Sequence, residues 1–79
     1  GAVVLHRDLR RPTSPQEALA LRERYLPNAP EVLRHDYLAS LHAAFTVEEV
    51  RVQLDHCGLR SLRVEALADR YLEVSGRLD

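Results

Sequence analysis

Ala2-Val3-Val4-Leu5-His6 is a short, continuous apolar run, and its reading decides the fold. At the head of an α/β pattern such a run reads as a strand buried on both faces, as in parallel sheet. The polar stretch His6-Arg7-Asp8-Leu9-Arg10-Arg11-Pro12 follows it. Pro12 disfavours helix at Arg11, so the chain leaves the strand as a loop.

Three helix starts come next, each with its own local signal. Ser14-Pro15-Gln16-Glu17 supplies a capping Ser, a Pro at the first helical position and a Glu three residues after the cap. This helix is expected to run to about Leu26, with Ala18, Leu21 and Tyr25 on one face, and Pro27 stops it. Asn28-Ala29-Pro30-Glu31 repeats the logic with Asn as cap, and Leu33, Tyr37, Leu41 and Ala44 recur at near-helical spacing. Thr46-Val47-Glu48-Glu49 is a third capping box, with Phe45 and Val50 placed as a hydrophobic staple. The third helix is expected to carry Val50, Leu54 and Cys57 inward, and Gly58 stands where a left-handed C-cap belongs.

After Gly58 the apolar period changes from helical to alternating. Leu62, Val64, Ala66 and Ala68 alternate with their neighbours, Asp69-Arg70 reads as a tight turn, and Tyr71 to Ser75 alternates again until Gly76 closes it. The order is strand, three helices, strand, strand. Taken alone it forms a three-stranded sheet with one apolar edge left open, which natural proteins usually avoid. That hints at missing sheet beside the first strand.

Composition bounds the rest. Seventy-nine residues and 9.0 kDa make one small domain or part of one, residues 1–79. Hydrophobic content of 46% with 29% charged residues is globular rather than disordered composition. Eleven basic residues against twelve acidic argue against a nucleic-acid partner and against an anionic membrane surface. No apolar run approaches the roughly 18 residues of a spanning helix, and no signal peptide is visible. Cys57 is the single cysteine, which fits a reducing, cytoplasmic setting. The chain has no Met, Lys, Ile or Trp. The absent Met suggests a processed or truncated piece, and Arg in place of Lys suggests a GC-rich coding sequence.

Several constellations carry less than they suggest. His6-Arg7-Asp8-Leu9 spells the start of a kinase catalytic loop, but Thr13 stands where that motif needs Asn and no nucleotide loop accompanies it. His35 and His42 lie about 10 Å apart along one helix, too far to share a metal, and no metal site is expected. Cys57 at a helix C-terminus faces the wrong end of the dipole for thiolate activation and reads as a buried structural residue. Arg7, Arg10 and Arg11 surround Asp8 beyond the first strand, where ligands of open α/β sheets bind. Ser40 either faces a pocket or bonds its own helix.

Gly1 to Pro12, with its Arg7-Asp8-Leu9-Arg10-Arg11-Pro12 exit, resembles the fifth strand of class I S-adenosylmethionine-dependent methyltransferases of a bacterial subgroup. Asp36-Tyr37-Leu38-Ala39-Ser40-Leu41-His42-Ala43-Ala44-Phe45-Thr46 is similar to that subgroup's next marker. Glu48-Glu49-Val50, Gln53-Leu54 and Gly58-Leu59 resemble its last large helix and closing turn. Leu62 to Ala68 and Asp69-Arg70-Tyr71-Leu72 resemble the sixth and seventh strands, with Tyr71 where the subgroup often has His.

The resemblance implies a C-terminal fragment of a Rossmann-like α/β fold. Its sheet is expected to be mixed and three-stranded, with a terminal antiparallel hairpin whose last strand lies between the other two. It implies a substrate-side wall for methyl transfer, with Asp8, Arg11 and Ser40 as substrate contacts and Arg11 suited to pair an anionic acceptor. No catalytic, cofactor-binding or metal residue is implied. S-adenosylmethionine belongs to the parent fold, but its Gly-rich loop is absent here, so the chain alone is expected to be inactive and cofactor-free. The implied partners are the missing N-terminal part and a small-molecule substrate. The alternative is a stand-alone interaction module that pairs through its open strand, as a homodimer or with a partner strand.

Overall fold

The structure, a computed structural model, describes residues 1–78. It is a small mixed α/β domain. Strand β1 (Val3–Leu9) is followed by helices α1 (Pro15–Tyr25), α2 (Glu31–Ala43) and α3 (Val47–His56), then strands β2 (Arg63–Leu67) and β3 (Tyr71–Arg77). The element order is the expected one.

The sheet order is β1-β3-β2, and both pairings are antiparallel. The expectation of a mixed sheet is corrected. β1 and β2 do run parallel to each other, but β3 lies between them and no parallel pair of strands forms. β1 is an edge strand of this sheet. It extends to Leu9 rather than ending at His6, because its register with β3 holds from Val3↔Arg77 to Leu9↔Tyr71. Burial on both faces is also corrected: Val3 is 73% exposed and Leu5 65%.

The phase of the ladder shows what β1 leaves open. Leu78 N–H donates to Ala2 C=O at 2.8 Å, and Arg10 N–H donates to Arg70 C=O at 2.7 Å. These bonds flank the strand, so the even residues of β1 turn their backbone polar groups toward β3. The odd residues turn theirs outward. Leu9 N–H is met by its neighbour's carboxylate, Asp8 Oδ1, at 2.8 Å. Val3, Leu5 and Arg7 form the open edge.

Two clusters share the burial. In the first, Ala18, Leu21 and Leu41 close the α1–α2 hairpin, with Leu9, Tyr37 and Leu38 packed against them. In the second, Leu62, Leu72 and Val74 are covered by α3 through Val47, Val50 and Leu54. Side chains alternate across a strand, so Leu9 and Val4 of β1 join different clusters on opposite faces. The molecule is elongated, 45 × 20 × 19 Å.

Local signals explain the helix ends. Ser14 Oγ accepts from Glu17 N–H at 3.1 Å, with Pro15 opening α1. Thr46 and Glu49 form a reciprocal capping box at 3.1 and 2.9 Å. The Asn28 cap is corrected: α2 is preceded by Pro30, whose carbonyl accepts from Arg34 N–H at 3.1 Å, and no side chain caps it. Asn28 belongs to the turn before it. Arg34 holds that turn by donating to Leu26 C=O at 2.7 Å. Of the expected face of α2, Leu41 is buried and Tyr37 packs beside it, but Leu33 is 51% exposed, and Leu38 joins the cluster.

Cys57 is exposed, which corrects its inward placement. α3 ends at His56, Cys57 has left helical geometry, and Gly58 turns left-handed with φ +73°, so the apolar stripe continues through Leu59. The hairpin loop has three residues, with Ala68 at φ +54° rather than in the strand. Gly76 does not close β3. It lies inside the strand, where a Cβ would stand 3.0 Å from Ser61 O, so glycine permits the close approach of that backbone.

Candidate functional site

The chain leaving β1 brings two distant segments together. Arg10 and Phe45 form a parallel bridge, and Arg11 N–H donates to Phe45 C=O at 3.1 Å. This clips the α2–α3 connection beside the carboxyl end of β1. A shallow cleft of about 370 Å³ results, lined by Asp8, Leu9, Ser40, Ala43, Ala44 and Phe45. A second depression, of about 220 Å³, lies across Phe45, with Leu72, Val74 and Val50 among its apolar walls and His6, Asp8 and Gln53 its polar ones.

Of the three expected substrate contacts, Asp8 and Ser40 line one cleft, although 32 positions separate them in the chain. Both are exposed. Asp8 Oδ2 stands 4.0 Å from His6 Nε2, beyond hydrogen-bond reach. Arg11 does not line the cleft. Its guanidinium lies 3.2 Å from Glu49 Oε1 at the start of α3. The Glu49 carboxyl is held below its usual range, first by the N–H of Thr46 and then by Arg11.

The arginines of the strand exit do not form one nest. Arg7 Nε donates to Glu73 at 2.6 Å across the β1–β3 pair. Arg10 donates to Tyr71 C=O at 2.6 Å. Each has an acceptor of its own, and the extension of β1 to Leu9 turns successive side chains to opposite faces.

The most connected polar group was legible only as a turn. Asp69 accepts from Tyr25 Oη at 2.6 Å, from Arg24 at 2.7 Å and from Arg70 at 3.1 Å. The Tyr25 hydroxyl leads in pulling its carboxyl down to about 2, with Arg24 and Arg70 helping and burial opposing. The Arg70 guanidinium stacks on Tyr25, 3.8 Å from the ring centroid, and on Tyr71 at 4.4 Å. The Tyr37 hydroxyl is buried with no hydrogen-bond partner among the described residues, and burial pushes its pKa up. This cluster ties the end of α1 to the β2–β3 loop. The alternation Asp69-Arg70-Tyr71 gave no sign of partners 44 positions away.

The residues present do not fit the cofactor implied by the resemblance. The connection from β1 to α1 contains no glycine. Gly58 closes a helix and Gly76 serves a backbone crossing, so neither opens a strand-to-helix loop to a ligand. Among the described residues, no three His, Cys, Asp or Glu side chains gather as a metal set. No described helix is long and apolar enough to cross a membrane. No protein-family model, curated protein or solved structure matches the chain.

Proposed function

We propose that the chain is the substrate-side, C-terminal portion of a class I S-adenosylmethionine-dependent methyltransferase acting in the cytoplasm. One observation carries the reading. β3 lies antiparallel between β1 and β2, while the outer edge of β1 stays open and apolar at Val3 and Leu5. That strand order is the one the resemblance implies, and the open edge is where a further strand of a cofactor-binding part would pair.

In this reading the missing part supplies the cofactor cradle. The present chain supplies a wall at the carboxyl end of β1, with Asp8 and Ser40 facing the acceptor. Arg11 reaches a ligand only by releasing Glu49. Its contribution is then to hold the start of α3 against the strand exit. Transfer is driven by positioning donor and acceptor rather than by a nucleophilic side chain of this chain.

The test has two arms. Calorimetric titration of the monomeric 79-residue chain with S-adenosylmethionine is expected to give no saturable binding. Mixing it with a separately expressed cofactor-binding half of the same fold class is expected to yield methyl transfer. Saturable micromolar binding by the monomer alone contradicts the division of labour.

The same open edge favours a second reading, a stand-alone module that accepts a partner strand or pairs with its own copy. A homodimer that survives dilution, with β1 strands paired, would favour that reading.

A further inference from the structure

Phe45 is the only phenylalanine, and it is 51% exposed. Its exposure is not slack in a loop, because its carbonyl is fixed to Arg11 N–H and its backbone is bridged to Arg10. Depressions open on several sides of it: one toward Ser40, one floored by Leu72 and Val74, and one toward Glu48 and Val52. An exposed aromatic side chain on a fixed backbone presents hydrophobic area at a defined place on the surface.

The formal charge around it is mostly negative: Asp8, Glu48 and Glu49 line these depressions, against Arg11 on Glu49 and a histidine, His6, whose Nε2 stands 4.0 Å from Asp8 Oδ2. Asp8 borders two of these depressions, and among the described residues its carboxylate accepts one hydrogen bond, from the adjacent Leu9 N–H. Glu48 borders the third and has no ion-pair partner among the described residues. The nearby arginines already have acceptors. Arg11 is paired with Glu49, Arg7 with Glu73, and Arg10 serves the Tyr71 carbonyl. Carboxylates beside an exposed aromatic face favour a cation with an apolar body. The depression beneath Asp8, about 220 Å³, falls below the size of drug-like pockets, so the fitting ligand is small.

We propose that the face around Phe45 binds a small organic ammonium compound, its cation at Asp8 and its apolar body against Phe45 and Val50. This reverses the charge of the ligand expected from Arg11. It goes beyond the transferase reading and stands on this chain's own residues, so a failure of either leaves the other measurable.

The test is a titration of the isotope-labelled 79-residue chain with phenethylammonium chloride near neutral pH, followed by amide chemical shifts. Saturable shifts are expected at Asp8, Phe45 and Gln53, with resonances around Leu21 and Leu41 unmoved. Phenylacetate, with the same ring and the opposite charge, is expected to leave the site untouched. Asp8→Asn keeps the acceptor for Leu9 N–H and is expected to weaken binding about threefold to fivefold. Phe45→Leu is expected to weaken it about threefold. Equal binding of phenylacetate, unchanged affinity in Asp8→Asn, or no saturable shift across the millimolar range overturns the proposal.

Discussion

The two clusters of this molecule are built differently. The β-sheet and α3 meet across an apolar layer, with Leu72 and Val74 of the middle strand at its centre. The α1–α2 hairpin buries only Ala18, Leu21 and Leu41 and touches the sheet through Leu9. Its remaining attachment is polar: Arg24 and Tyr25 on Asp69, with Arg70 stacked on Tyr25. The sheet is therefore held mainly by burial, which is insensitive to pH. The hairpin's docking depends on a carboxylate, which is not. A domain of this size buries a smaller share of its surface than a larger one, so the difference matters for which part loosens first.

The largest expected effect breaks the shared layer. Leu72→Ala removes a side chain facing α3 and is expected to cost about 3–5 kcal/mol, with both strand pairings lost together. Leu41→Ala, in the thinner hairpin cluster, is expected to cost about 2–3 kcal/mol. Denaturant unfolding gives the two values, and hydrogen exchange separates them. Leu41→Ala should leave the β1–β3 amides protected, whereas equal loss in both clusters would make them one core.

Gly76→Ala comes next. A Cβ there meets Ser61 O at 3.0 Å and Leu62 Cα at 3.2 Å, with φ at +142°. The expected cost is about 1–3 kcal/mol, confined to the sheet side. A melting temperature equal to that of the parent chain would show that the crossing relaxes freely.

The polar attachment is expected to be the smallest and the only acid-sensitive term of these. Asp69 has its pKa lowered from 3.8 to about 2 in the folded chain. A depressed carboxylate stabilises the fold above its unfolded value and loses that contribution as pH falls through the folded value. Asp69→Asn should therefore reduce stability near neutral pH, and its deficit should fade between about pH 4 and pH 2. Tyr25 and Leu21 resonances report it. A deficit that persists unchanged below pH 2 would assign the effect to packing.

Much of the architecture was readable because it is written locally. Ser14, Pro15, Thr46 and Glu49 act on backbone groups within one turn, so α1 and α3 begin where their caps stand. Gly58 ends α3 for the same reason. What depends on distant partners was not readable. An apolar run such as Val3-Val4-Leu5 has the same pattern in a central strand and at an open edge. The spacing of Val50, Leu54 and Cys57 predicts one helical face, but helix geometry stops before Cys57. For the site, the gathering of Asp8 and Ser40 followed from the resemblance alone. The engagement of Arg11 by Glu49 and the cluster on Asp69 are tertiary facts without a local mark.

The central claim is that the outer edge of β1 is an open joint. Amide hydrogen exchange on the dilute chain tests it most directly. Val4, His6 and Asp8 bond toward β3 and are expected to be protected, while Val3, Leu5 and Arg7 exchange at nearly the rate of unstructured chain. Protection of Val3, Leu5 and Arg7 equal to that of their even-numbered neighbours would mean that another strand already covers the edge, and the joint would not be open.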